Sequence, residues 1–290
     1  QVGLSKELVT LRSDLNLNLD ILKLKRQDPD YSILSDSYRH WGFNSWLAKL
    51  PTTETQNTAD TRHHAPINKH EVLFTAKDLD RWCELIEKSH LISFDTETTS
   101  LDYMNARLVG ISFSVDPYMA AYIPLAHDYP DAPSQLHLDH VLKKLKPILA
   151  SPNIKKLGHN LKYDMHILAN YKIELYGIKH DSMLESYILD SSVIRHDMDS
   201  LALKYLKHET THYEDVAGKG AKKIPFNQVK IEEAAPYAAE DADITLRLHQ
   251  FLWPKLSGES GLKEVYEEIE IPLTKVLFRI ERNGVLVDEK

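Results

Sequence analysis

Residues 91–98 read Leu91-Ile92-Ser93-Phe94-Asp95-Thr96-Glu97-Thr98. The apolar run at its start reads as a buried strand. Side chains alternate across a strand with a period of two, so Asp95 and Glu97 point to the same side. Two carboxylates then share one small space beside a hydrophobic strand. Leaving both ionised there is unfavourable unless a cation neutralises them. Oxygen ligands suit magnesium or manganese, and the lack of a nearby Cys or His pair disfavours zinc. Asp-x-Glu is a common pattern, and a solvent-exposed strand end remains the alternative reading of this stretch alone.

Outward from that strand, the pattern predicts strands over 72–74, 108–114, 119–124 and 154–157. Helices are expected over 76–88, near 135–149, 160–170, 181–190, 198–207 and 230–252, and finally over 262–282. Strands first and mostly helices afterwards imply an α/β domain with a mixed sheet surrounded by helices. The last helix stops at Asn283-Gly284, before an extended run from Val285 to Val287.

Two further acids stand out on helices. At 100° per residue, Tyr237, Asp241, Ile244 and Leu248 share one narrow face of the 230–252 helix, so Asp241 is a carboxylate on an apolar stripe. On the same reasoning Glu240 and Asp243 are expected to be solvated. Asp164 lies in KLGHNLKYDMHILAN, one turn after Asn160. By itself it reads as a favourable charge near a helix start.

The chain has 290 residues, 43 acidic and 35 basic, a net charge of −8. That balance argues against a broad DNA-coating surface but leaves room for an enzyme that grips a few nucleotides. No apolar run is long enough to span a bilayer and the first residues lack the features of a secretory signal, so a soluble chain is expected. The start without Met suggests a piece of something longer. The single cysteine, Cys83, reads as a small hydrophobe on an amphipathic helix. Residues 51–66, PTTETQNTADTRHHAP, have the composition of a linker, and the His63-His64 pair lacks a third ligand at metal spacing. Before that linker the sequence suggests an extended piece from Leu8 to Leu11, an alternation at Leu15, Leu17 and Leu19, and a helical pattern through Tyr38, Trp41, Phe43, Trp46 and Leu47.

FDTET, then GHNLKYD, then YAAED, with AAYIPLAHDY, LESYILD, RHDMDSLA and AGKG between and around them, resembles the 3′→5′ exonuclease domain of family A DNA polymerases, bacterial DNA polymerase I among them. This is the DEDD exonuclease superfamily with its ribonuclease H-like fold. The similarity covers roughly residues 67–290, and Tyr237 four positions before Asp241 matches the subclass with tyrosine in the last motif. The resemblance implies residues 1–50 as the tail of a preceding 5′ nuclease domain, 51–66 as linker, 67–260 as the exonuclease domain and 261–290 as the start of a polymerase domain. It implies two divalent cations, Mg2+ or Mn2+, about 3.5–4 Å apart. Asp95 would bridge both, with Glu97 and Asp241 at the first and Asp164 at the second through water, while Tyr237 orients the attacking water. Leu101 matches a position that wedges against the terminal base, although a core leucine is an equal alternative. Asn160, Lys162, Tyr163 and Arg195 match positions that touch the strand. His159 departs from the common glutamine, which bears on the contacts beside Asn160. Lys219, Lys222 and Lys223 form a loop that fits either phosphate contact or solvation, and its spacing is not that of a P-loop. The implied substrate is a single-stranded DNA 3′ end or frayed primer terminus, in a monomeric, cytoplasmic bacterial protein. No polymerisation is expected from these residues. A ribonuclease D-like RNA exonuclease and an inactive module of the same fold are the rival readings.

Overall fold

In the computed structural model, the residues described are 2–12, 14–15, 24–25, 28–41, 43–47, 49–50, 69–192 and 195–288. The expected linker, with His63 and His64, and the alternation at Leu17 and Leu19 lie outside them. The chain divides into two compact units, 1–60 and 61–290.

The first unit contains α1 (Val2–Val9), α2 (Tyr31–His40) and α3 (Asn44–Leu47). The expected extended segment at Leu8 is therefore corrected: Leu8 and Val9 end a helix. The later helical pattern resolves into α2 and α3, with Tyr38, Phe43 and Trp46 in edge and tilted ring contacts at 5.3–6.2 Å.

The second unit is built on a six-stranded mixed sheet. Its strands are β1 (Lys69–Val72), β2 (Leu91–Thr98), β3 (Leu108–Asp116), β4 (Met119–Pro124), β5 (Lys155–Gly158) and β6 (Ile178–Asp181), in the order β1-β4-β3-β2-β5-β6. β2 pairs antiparallel with β3 and parallel with β5, which makes it central. Its alternate residues Ile92 and Phe94 are buried with Leu73, Trp82, Phe113, Leu145 and Leu168 in the main core. α4 (Ala76–Lys88) starts at Thr75, whose hydroxyl accepts from the Asp78 amide at 3.2 Å, and buries Leu79, Trp82 and Ile86 on one face. α5 (Leu138–Leu149) packs against it.

β5 passes through Gly158 into α6 (Leu161–Asn170). A Cβ on Gly158 would stand 2.4 Å from the Leu161 side chain, so glycine here lets that leucine pack against the end of β5. Asn160 takes the left-handed conformation (φ 63°) at that turn, which asparagine tolerates better than most residues. β6, which the sequence reading missed, leads directly into α7 (Ser182–Leu189). α8 (Met198–Leu201) continues as one π-helical stretch over 202–206, and α9 (Tyr213–Ala217) follows.

α10 (Ile231–Gly258) runs across β2, β3 and β4. Ala234, Ala235, Ala238, Ala239 and Ala242 are all buried, and such small side chains let the helix lie close to the sheet. α11 (Ser260–Glu264), a π-helical stretch over 265–270 and α12 (Ile271–Asn283) make up the expected last helix. Among the described residues no helix is long and apolar enough to cross a membrane.

Candidate active site

β2 and α10 bring the predicted acids together. Carboxylate oxygens of Asp95, Glu97 and Asp241 lie within 4.8 Å of one another. Glu97 and Asp241 are buried, Asp95 partly so. The cause is local. β2 alternation aims Asp95 and Glu97 to one side, and the alanine face of α10 lets Asp241 approach them. Asp164, buried on α6, is not one of that trio. The Thr96 hydroxyl donates to its Oδ1 at 2.6 Å, and its charge is felt by Glu97.

Electrostatically the site favours the protonated acids. Burial raises Asp95 to about 7. Glu97 is raised by burial first, then by the charges of Asp95 and Asp164. Asp164 and Asp241 are raised by burial and then by Asp95. One oxygen of Glu97, Oε1, is buried with no hydrogen-bond partner. Crowded acids that cannot all ionise, an orphaned carboxylate oxygen and an all-oxygen donor set fit divalent cations of the magnesium class.

Tyr237 lies one turn before Asp241, and burial first, then the Asp241 charge, raises its pKa well above that of an ordinary tyrosine. Its ring packs on Phe226 and Tyr213 at 5.8 and 6.4 Å. The hydroxyl is thus held at the edge of the carboxylate cluster.

Behind the site lies a chain that the sequence reading did not single out. The buried Tyr122 hydroxyl donates to His127 Nε2 at 2.8 Å, and His127 Nδ1–H donates to the Val229 carbonyl at 2.9 Å. Glu97 and Asp95 act on the Tyr122 hydroxyl through their charge. Gly110 makes the room, since a Cβ there would meet the Tyr122 hydroxyl at 2.1 Å.

Glu240 and Asp243 are not solvated as expected. Glu240 accepts from His208 Nε2 at 2.7 Å and from the Thr211 amide at 2.8 Å, while Asp243 is fully buried between the Tyr118 amide and Arg247. α10 is covered on more than its sheet face, by α7, α8 and the residues that follow, so its other acids acquire partners instead of water.

With this geometry in view, a family model described as "3'-5' exonuclease" of the DNA polymerase A type matches residues 70–257. The chain belongs to that exonuclease family. A DNA polymerase I of Pseudomonas aeruginosa is 48% identical over 99% of the chain and 32% of its own length. One of Rhizobium leguminosarum is 42% identical over 76% of the chain and 24% of its own length. The chain thus spans about a third or less of these relatives. Among solved structures, the "POL domain of Pol1 from M. smegmatis" with DNA primer-template and dNTP aligns with TM-score 0.60 at 19% identity, covering 75% of this chain and 33% of that one. Escherichia coli RNase D, an exoribonuclease, aligns at 0.52 and 18%, covering 75% and 52%. Brucella melitensis NrnC with bound Mg2+ aligns at 0.51 and 16%, covering 77% and 98%. The expected ribonuclease H-like fold is the fold observed.

Around the cluster, this exonuclease domain arranges the other predicted residues unequally. Leu101 is 86% exposed, which removes the alternative of a core leucine. The Tyr163 hydroxyl contacts Thr98 and donates to the Ser100 carbonyl at 2.8 Å; burial pushes its pKa up to about 12. Asn160 is exposed, while its amide and that of Leu161 donate to Asp181 at 3.1 and 2.8 Å. His159 is half-buried, bonded to Ser182 Oγ at 2.8 Å, and burial lowers its pKa to about 4. Lys162 is engaged by Glu281 of α12, whose other oxygen accepts from His166 at 2.9 Å. Arg195 is exposed. In the lysine loop, Lys219 pairs with Glu214 at 2.6 Å and Lys223 sits 4.9 Å over the Tyr213 ring. Lys222 is exposed.

Proposed function

We propose that the chain is a two-metal-ion 3′→5′ exonuclease that releases 5′-mononucleotides from single-stranded or frayed DNA 3′ ends, as the proofreading part of a bacterial DNA polymerase I. The observation that carries this reading is the buried trio Asp95, Glu97 and Asp241, with Asp164 close enough to share their electrostatics. Asp95, Glu97 and Asp241 would hold one Mg2+ or Mn2+, and Asp95 with Asp164 the other. When bound, such ions activate water, stabilise the charge gathering on the phosphorus and assist the leaving 3′ oxygen.

The remaining work falls to the chain itself. Tyr237, already directed at Asp241, orients the attacking water through its hydroxyl. Leu101, exposed beside the end of β2, offers an apolar surface against which an unpaired terminal base can stack. Asn160, Lys162, Tyr163 and Arg195, with His159 beside them, are the donors we assign to the strand and its phosphates, which positions any sequence equally. The lysine loop is not needed for this assignment. We further assign 1–50 to the end of a 5′ nuclease domain, 51–66 to a linker, 67–260 to the exonuclease and 261–290 to the start of a polymerase domain, in a monomeric cytoplasmic protein. The apolar residues Val276 and Ile280 that α12 leaves exposed are in keeping with further chain covering them.

A second reading, an RNA 3′ exonuclease, draws on the RNase D fold likeness. The deciding experiment compares metal-dependent release of mononucleotides from DNA and RNA strands of the same sequence. Faster release from RNA, or none from either, overturns the proposal.

A further inference from the structure

A second polar cluster is buried in the same domain, well away from the carboxylate trio. His249 lies eight residues beyond Asp241 on α10, about 12 Å along the axis. Glu185 of α7 is fully buried, and its Oε1 accepts from His180 Nδ1–H at 2.9 Å and from His249 Nδ1–H at 2.7 Å. One donor atom from each of the three residues falls within 4.8 Å of the others. The second oxygen, Oε2, is buried and makes no hydrogen bond. Tyr266, near enough for the Glu185 charge to raise its pKa, accepts from the Asp181 amide at 2.8 Å.

We infer that His180, Glu185 and His249 form a transition-metal site of the zinc class, separate from the magnesium-type carboxylate site. Two imidazole nitrogens and one carboxylate oxygen are a zinc donor set and a poor magnesium one. Zinc with tetrahedral angles would hold such donors about 3.3 Å apart, so the two oxygen–nitrogen separations need widen by only about half an ångström once each ring carries its proton on Nε2 and turns the Nδ1 lone pair to the ion. Trp253 and Tyr266 wall the His180 ring at 4.6 and 6.3 Å, an apolar collar that strengthens the attraction between an ion and Glu185. His249 also lines a cleft of about 400 Å³ together with Lys88, His90, Leu91, Asp116 and Leu246, so one edge of the cluster borders open space.

Such an ion would tie β6, α7 and α10 together. His180 directly precedes Asp181, which binds the Asn160 and Leu161 amides and caps α7 through the Met183 amide at 3.0 Å. The ion would therefore stiffen the turn from which α6 carries Asp164.

The test uses the full chain, stripped of metal, with Asp95→Asn and Asp241→Asn in place so that the carboxylate trio cannot compete. Zinc is added by isothermal titration at neutral pH and cobalt(II) is followed by visible absorption. One equivalent of zinc should bind, raising the melting temperature, and cobalt should give the intense visible band of a four-coordinate, nitrogen-containing site. Glu185→Gln, which keeps size and shape, should weaken zinc binding roughly a hundredfold or more. Circular dichroism checks that this variant folds, and if it does not, the cobalt spectrum of the parent decides. Absence of zinc binding in the parent, a weak octahedral cobalt spectrum, or equal affinity after Glu185→Gln would overturn the inference.

Discussion

At the scale of single residues, the acids of the site are held in a state that opposes their own ionisation. Burial takes Asp95 to about 7 against the lowering effect of the Thr96 backbone, and Glu97, Asp164 and Asp241 are raised by burial and by neighbouring acids. Asp95→Asn or Asp241→Asn should therefore cut nuclease activity roughly a hundredfold or more. Without metal, the same change should leave the melting temperature unchanged or raise it by about 2–4 °C, because a like charge is removed from a buried group. Thermal unfolding beside nuclease rates checks both, and a clear drop in metal-free stability would mean that the acids are structural. Tyr237→Phe deletes one hydroxyl and leaves the ring packed on Phe226 and Tyr213. It should slow cleavage roughly tenfold, the worth of one hydrogen bond. Single-strand affinity, read by fluorescence anisotropy with calcium as the ion, should stay as it was. A parallel loss of affinity would reassign Tyr237 to substrate binding.

Between elements, the hydrogen-bonded chain from Tyr122 through His127 to Val229 links β4 to the segment that enters α10. Gly110→Ala on β3 drives a methyl into the Tyr122 ring and should cost about 1–3 kcal/mol in stability by chemical denaturation. An unchanged midpoint would show that the ring moves freely. His127 gives a pH signature. Its folded pKa is lowered, chiefly by burial, so the unfolded chain takes up this proton first as pH falls. The associated stability is present above the ordinary histidine value near 6.5 and is lost as pH drops from there through the lowered folded value. His127→Gln should flatten the wild-type loss of stability between about pH 7 and 5, as measured by denaturant midpoints; parallel slopes in the two proteins would refute it. Strands were legible where burial on both faces leaves a continuous apolar run, and helices where one face is buried. β2 and β4 follow apolar runs, and α4 follows its Leu79, Trp82 and Ile86 spacing. β6, with sequence IKHD, carries too little apolar alternation to be seen, and its identity depends on pairing with β5. The site acids Asp95, Glu97 and Asp241 were legible because each conflicts with an apolar surrounding. Glu240 and Asp243 were misread because a helical wheel assumes that the face away from the sheet meets water, whereas His208 and Arg247 meet it here. His180 and Glu185 stand five residues apart across the β6–α7 junction while His249 comes from the distant α10, so no local spacing announces the three together.

For the molecule as a whole, the proposed function predicts a preference for ends that are already open. Leu101 stands exposed three residues beyond the end of β2, and a base could stack on it only after leaving its partner. Unpairing costs a few kcal/mol at a matched terminus and less at a mismatched one, and each 1.4 kcal/mol is a factor of about ten in the population that reaches the site. No readout of base identity is required, which suits a net charge of −8 and a surface that grips only a few nucleotides. Two duplexes labelled at the 5′ end, identical except for a matched or mismatched 3′ terminus, should with magnesium differ roughly tenfold or more in initial rate, the mismatch being faster. Leu101→Ala should reduce cleavage of both while the four acids and Tyr237 stay in place, since stacking on a side chain is worth about 1–3 kcal/mol per base. Equal rates on the two duplexes would remove fraying as the source of selectivity. A ladder that shortens from the 5′ end would overturn the assigned polarity, because the 3′ terminus would then not be the end that reaches the acids.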